Sequence, residues 1–135
     1  MVAVAMVAVM GAALYAGIGV AFSQLRLSRE NLRATQILEG KMEIVRQYNW
    51  DQVANYSGFI PTSFTESFFA NNPTNSSANF VYTGQVSVKT APISESYSND
   101  LKMITIKLTW KSGSATHTRQ ATTFVSQYGL QRYVY

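Results

Sequence analysis

The N-terminal stretch Met1–Phe22, MVAVAMVAVMGAALYAGIGVAF, decides the architecture of this chain, because every residue in it is apolar or glycine apart from the hydroxyl of Tyr15. No charged residue appears before Arg26. A helix of this length measures about 33 Å, which is enough to cross the hydrocarbon core of a bilayer. A charged segment follows without a polar linker, so we predict one long helix with a membrane-length apolar first half.

The second half of this helix has an amphipathic pattern. Its apolar residues recur at intervals typical of one helix face, and they are Ala34, Leu38, Met42 and Val45, with Leu27, Ile37 and Tyr48 beside them. We expect the pairs Glu30–Arg33 and Glu43–Arg46 to lie on the solvent side, where opposite charges three residues apart interact. A helix with one apolar face requires a partner surface, which the rest of the chain has to supply.

Alternating sequences downstream predict that surface to be an antiparallel sheet. The clearest strand is Leu101–Lys111, and we expect others near Phe80–Val88, Thr116–Val125 and Leu130–Tyr135. Residues 54–79 contain turn signals and are read as an ordered loop. The predicted fold is α+β, with a long N-terminal helix packed on a small antiparallel sheet of three to four strands.

Two domains are expected along the chain. The first, residues 1–52, is a helical spine, in which residues 1–25 form a membrane-spanning or filament-core half and residues 26–52 form the amphipathic half. The second, residues 53–135, is a globular β domain. A domain of this size buries only a small core, so the amphipathic helix face has to contribute to it.

The sequence contains no pattern that indicates catalysis or metal binding. It has 135 residues and no cysteine, which excludes disulfides, thiolate metal sites and thiol catalysis. His117 is the only histidine and is expected to lie on an exposed strand. The oxygen-rich segment Ser94–Asp100 is read as a polar hairpin loop, because its spacing matches no calcium loop. We therefore predict a protein that is not an enzyme and has no cofactor and no metal.

The charges limit the choice of partners and of membrane topology. The net charge is +4, but the basic residues are dispersed and lack interleaved aromatic residues, so no specific nucleic acid is expected. The positive-inside rule would keep Arg26, Arg29 and Arg33, with all that follows, in the cytoplasm. The Ser-, Thr-, Asn- and Tyr-rich remainder instead indicates export. Orienting charges upstream of Met1 would remove this conflict between topology and export. A cleaved signal peptide is disfavoured, because the apolar run is too long for one.

Several segments together resemble type IV pilins and the pseudopilins of type II secretion systems. The apolar helix resembles their N-terminal helix, and the later motifs resemble their amphipathic half and the strand region of the minor subunits. These segments are Met1–Phe22, Ser28–Gln36, Lys41–Glu43, Tyr48–Asp51, Ile104–Trp110, Thr123–Ser126 and Gly129–Leu130. The resemblance covers about residues 1–52 and 101–135. It does not extend to the segment between them.

The resemblance implies a structural subunit of a pilus-like filament that polymerises through its apolar helix. Such a subunit rests in the inner membrane and then enters an extracellular filament, or a periplasmic one for a pseudopilin. Its implied partners are further copies, other pilins, the assembly machinery and prepilin peptidase. The family's basic leader, cleavage site and glutamate at the fifth mature position are absent here. We therefore expect mature residues upstream of Met1, which the intact mass of the native protein would test.

Two sets of residues follow as candidates for assembly. The filament-core residues are Met1, Val4, Val7, Gly11, Leu14, Gly17, Ile18, Gly19 and Phe22. The candidates for charge contacts between subunits are Arg26, Arg29, Arg33, Glu39 and Glu43. Like charges four residues apart repel, so the last two carboxylates indicate a partner chain. The glycines indicate either close helix packing or a stretch that unwinds outside lipid.

Two alternatives to the pilus subunit remain. One is a minor pseudopilin of a type II secretion system. The other is a membrane-anchored adhesion or nucleic-acid-binding domain that never polymerises. Electron microscopy of sheared surface material distinguishes the last of these from a filament subunit.

Overall fold

One uninterrupted helix begins the chain, as the sequence predicts. In the computed structural model, which describes residues 2–55, 58–69 and 81–129, helix α1 spans Val2–Arg46. A short helix, α2, follows at Trp50–Ala54. The strands are β1 (Ser63–Ser67), β2 (Val81–Thr90), β3 (Leu101–Ser112) and β4 (Ala115–Ser126).

The strands form one antiparallel sheet in the order β1-β2-β3-β4, so each strand pairs with its neighbour in sequence. The polar segment 91–100 connects β2 to β3 and ends in a single 3₁₀ turn, which confirms the predicted hairpin loop. The β3–β4 connection is the two-residue loop Gly113–Ser114. Gly113 has φ of 61° there, which is the left-handed backbone that a two-residue hairpin requires and glycine tolerates.

One of the four described strands, β1, is not predicted by the sequence. Strand β1 lies within residues 54–79, which were predicted to be loop, and pairs with β2 through Phe64 and Gly84. Its five residues contain a single apolar residue, Phe64, so no alternation signals a strand. The other predicted strand, Leu130–Tyr135, lies outside the described residues, as does Phe80.

The core lies between one face of the sheet and the second half of α1. The sheet contributes Tyr82, Ile104, Ile106, Leu108 and Trp110, and the helix contributes Ala34, Ile37, Leu38 and Val45. All nine side chains are buried, and Met42 and Tyr48 pack beside them. The predicted apolar stripe is therefore confirmed. Burial of each aliphatic side chain stabilises the fold by about 1.5–3 kcal/mol.

Strand β1 is attached to α1 through Lys41. The Lys41 Nζ lies 4.6 Å from the centroid of the Phe64 ring and 2.8 Å from Oε1 of Glu66. The ring itself covers Gly84, where a Cβ would collide with it. A glycine opposite an aromatic residue lets the ring lie over the neighbouring backbone, so this contact fixes the register of a strand with little other apolar surface.

Helix α2 is fixed by a reciprocal cap at its start. The Asn49 side chain accepts from the backbone N–H of Gln52 at 3.0 Å, and the Gln52 side chain accepts from the Asn49 N–H at 3.0 Å. This capping box satisfies donors that a helix start leaves unpaired. Buried Val53 anchors the turn in the core.

The chain comprises two compact units, Met1–Leu32 and Arg33–Tyr135. Every buried hydrophobic residue that is described belongs to the second unit. The first unit contains the apolar part of α1, and its surface is described next.

Candidate membrane and assembly surface

The first part of α1 exposes apolar side chains on every side. From Val2 to Phe22, eleven large hydrophobic residues have exposures between 54% and 83%. A helix that is apolar around its whole circumference is stable only in an apolar environment, such as lipid or neighbouring helices. By length and composition, α1 is long and apolar enough to cross a membrane, and none of its most apolar window is buried within the chain.

Six of the predicted filament-core residues share one stripe of this helix. At 100° per residue they lie within an arc of about 80°, and they are Val4, Val7, Gly11, Leu14, Ile18 and Phe22. Gly17 and Gly19 lie on either side of the stripe. Met1 lies outside the described residues. Gly11 is therefore the one small residue among five bulky ones on this stripe, which leaves a local indentation at Gly11.

Among the described residues, nothing packs against the three glycines of this segment. A Cβ added at Gly11, Gly17 or Gly19 would meet nothing within 4 Å. Each glycine nevertheless weakens a helix by about 0.5–1 kcal/mol relative to alanine. Small residues allow helix backbones to approach closely in membranes, and the open space leaves these positions accessible to such an approach.

The charges after the apolar segment are arranged differently from the sequence expectation. Glu30 is 1% exposed, and its Oε1 accepts from Nε of Arg26 at 3.0 Å. The predicted solvent-side pair of Glu30 with Arg33 is therefore wrong. Glu30 precedes Ala34 by four residues, so it lies on the same side of α1 as the apolar stripe, and this spacing could have been read from the sequence. The predicted pair of Glu43 with Arg46 is confirmed, at 3.3 Å and exposed.

The remaining candidate charges differ in their environments. Arg29 and Glu39 are exposed. Arg33 is half-buried, and its Nε has no hydrogen-bond partner among the described residues. Whether any of these groups contacts another subunit stays a prediction.

Glu39 and Glu43 share one groove, between the second half of α1 and the edge strand β4. The groove has a volume of about 650 Å³. Its lining includes Leu38, Met42 and Ala121. Arg119 also lines the groove, and its guanidinium donates a hydrogen bond to the Thr35 hydroxyl. Sequence reasoning did not find the groove, because only the strand pairing brings β4 beside the helix.

The described residues hold no group of three or more His, Cys, Asp or Glu side chains that is suited to a metal ion. His117 lies on a strand as predicted, but it is half-buried rather than exposed, because it stacks on Trp110 with ring centroids 5.5 Å apart and an interplanar angle of 23°. Because Trp110 and His117 are register partners on β3 and β4, this stacking is explained by cross-strand packing.

Comparison with known proteins returns no match to a family model, to a curated protein or to a solved structure. The functional argument therefore depends on the exposed apolar helix, its stripe and the adjoining charges.

Proposed function

We propose that this chain is a structural subunit of a type IV pilus-like filament, which polymerises through the apolar part of α1. The observation that carries the proposal is an uninterrupted helix whose first part is apolar and exposed on every side, and whose second part closes the core of a small sheet domain. Before assembly the apolar part lies in the inner membrane. In the filament, the same residues pack against the helices of other copies.

The hydrophobic effect favours apolar surroundings for this helix both in the membrane and in the filament. Transfer of eleven large apolar side chains out of water is favourable by about 15–30 kcal/mol at 1.5–3 kcal/mol each. The helix satisfies its own backbone hydrogen bonds, so it tolerates lipid. Both lipid and a bundle of helices provide the necessary apolar surroundings, and the chain can exchange one for the other without refolding its sheet.

Specific contacts have to come from shape, because lipid and protein helices are similarly apolar. Gly11 lies within the stripe and offers an indentation for a neighbouring helix. Arg26, Arg29 and Arg33 then supply positive charge, while Glu39 and Glu43 supply negative charge in the groove. We assign to these charges the axial register between copies.

The proposal includes partners but no catalysis by this chain. Its partners are further copies, other pilins, the assembly machinery and the peptidase that processes prepilins. The filament lies outside the cell in the pilus form of the proposal. A minor pseudopilin would carry the same helix and sheet in a periplasmic filament.

Electron microscopy of sheared surface material tests the assignment, with the protein detected by antibody labelling. The expected result is filaments that contain this chain. A chain that stays entirely in the membrane fraction, with no labelled filament on the surface or in the periplasm, would contradict assembly and support a non-polymerising anchor.

Substitutions at Gly11 add a graded test. Gly11→Leu fills the indentation and is expected to abolish labelled filaments, while membrane insertion is retained because leucine is apolar. Gly11→Ala is the matched control, since one methyl group leaves most of the space and should retain filaments. Filament yields that are equal for Gly11→Leu and the unmodified chain would remove the packing role of Gly11.

A further inference from the structure

The sheet face that points away from the core, here called the outer face, is mostly polar, and its residues are exposed or half-buried. Successive residues of a strand point to opposite sides, so the neighbours of the buried β3 residues define this face. Its centre is a group of threonines on three adjacent strands, namely Thr83, Thr105, Thr109, Thr118 and Thr122. Thr105 and Thr122 are directly opposite, with their hydroxyl oxygens 3.2 Å apart.

The charge on the outer face has one sign only. Lys89, Lys107 and Lys111 lie on it and are exposed. The chain has seven carboxylates, and none of them lies on this face. Four lie on the two helices, Glu66 is on the core side of β1, and Glu95 and Asp100 are in the β2–β3 connection.

The three lysines are spread in a line rather than gathered at a point. Lys89 pairs with Met103, so the lysines occupy rows that are four residues apart along β3. At about 3.3 Å per residue the rows are separated by about 13 Å, and the line is about 27 Å long. These lysines cannot all reach one small anion. The spacing exceeds the Debye length of about 8 Å at physiological ionic strength, so mutual repulsion is weak. The arrangement fits an extended polyanion.

We propose that the outer face binds an anionic polysaccharide. The lysines pair with acidic groups along the polymer, and the threonine hydroxyls between them, which both donate and accept hydrogen bonds, contact its hydroxyl groups. Single-stranded nucleic acid would instead require a platform of aromatic side chains. On the described part of this face the exposed aromatic residue is Phe124, which lies at one end. One chain carries the entire face, so the proposal does not depend on filament assembly.

Binding of the full chain in neutral detergent to immobilised alginate, a carboxylated polysaccharide, tests this proposal. The unmodified chain should bind alginate and not neutral dextran, and binding should weaken as salt is raised. Combined Lys89→Gln, Lys107→Gln and Lys111→Gln should reduce the affinity at least threefold, because each exposed ion pair typically contributes about a 1.4- to fivefold effect.

A matched variant separates this face from general charge. Combined Arg46→Gln, Lys102→Gln and Arg119→Gln removes three charges from positions outside the outer face and should change the affinity by less than about twofold. Equal losses in the two triple variants would overturn the proposal, as would no loss in either. Tighter binding of an oligothymidine strand than of alginate would replace the polysaccharide with a nucleic acid and also overturn it. Circular dichroism of each variant confirms that its fold is retained.

Discussion

Replacement of Gly84 by alanine places a Cβ within the volume of the Phe64 ring. The two residues are register partners on β2 and β1. The Lys41 Nζ lies 4.6 Å from the centroid of the ring, so a displaced ring also disturbs this contact. We therefore expect Gly84→Ala to displace the ring and weaken the attachment of β1.

The size of the effect follows from two opposing contributions. Overpacking of this kind costs about 1–3 kcal/mol. Alanine also restricts the unfolded chain, which returns about 0.5–1 kcal/mol where the backbone conformation is acceptable. The net loss in the free energy of unfolding should be about 1–2 kcal/mol. In a Phe64→Ala background the clash is absent, so Gly84→Ala should instead stabilise the chain by about 0.5–1 kcal/mol.

The measurement is a double-mutant cycle on the full chain in neutral detergent, with unfolding followed by circular dichroism in urea or on heating. Each kcal/mol should shift the midpoint temperature by about 4–8 °C for a unit of this size. Gly40→Ala is the matched control, because its Cβ meets nothing within 4 Å and its helix should gain stability. A loss at Gly84 that is the same with and without the Phe64 ring would refute the reasoning.

Three further predictions concern the same unit. Ile106 is 0% exposed, so Ile106→Ala should lower the free energy of unfolding by about 2–5 kcal/mol. Lys107→Ala on the outer face should change it by less than about 0.5 kcal/mol, and urea titration of both variants compares the two values. Asn49→Ala removes the cap of α2 and should cost about 1 kcal/mol, measured in the same titration, with no change expected if the cap is unimportant. Gly113→Ala forces alanine to a φ of 61° and should lower the free energy of unfolding by about 1 kcal/mol or more. Gly58→Ala should cause no such loss, because the added Cβ meets nothing within 4 Å.

Sequence periodicity was sufficient for the long helix and for three of the four described strands. Ile104, Ile106, Leu108 and Trp110 alternate with polar residues, and the core stripe of α1 repeats with helical spacing, so each element indicates its buried face locally. The same reasoning failed for β1. Its place in the sheet depends on Phe64 meeting Gly84, a contact between residues that are distant in sequence.

The features of the candidate site also fall into those that the sequence predicts and those that it does not. The apolar segment and its glycines can be predicted from composition, because none of the described residues packs against them and alters their environment. Burial of Glu30 and the groove beside Arg119 were missed. A charged residue is read as solvated by default, and the pairing of β4 with β3 is needed to bring Arg119 to Thr35.

Because the described core lies within the second unit, effects on the stability of the sheet unit can be measured separately from effects on the interactions of the apolar helix. All described buried hydrophobic residues fall between Ala34 and Val125, and none falls between Val2 and Leu32. A substitution at Gly11 therefore breaks no described core contact, and any effect on filaments has to arise from the stability of the helix itself or from contacts with lipid or with another chain. Conversely, loss of Ile106 weakens the sheet unit while leaving the apolar surface of the helix unchanged. Filament loss with an unchanged unfolding midpoint thus indicates the assembly surface, whereas filament loss that follows the midpoint indicates the core.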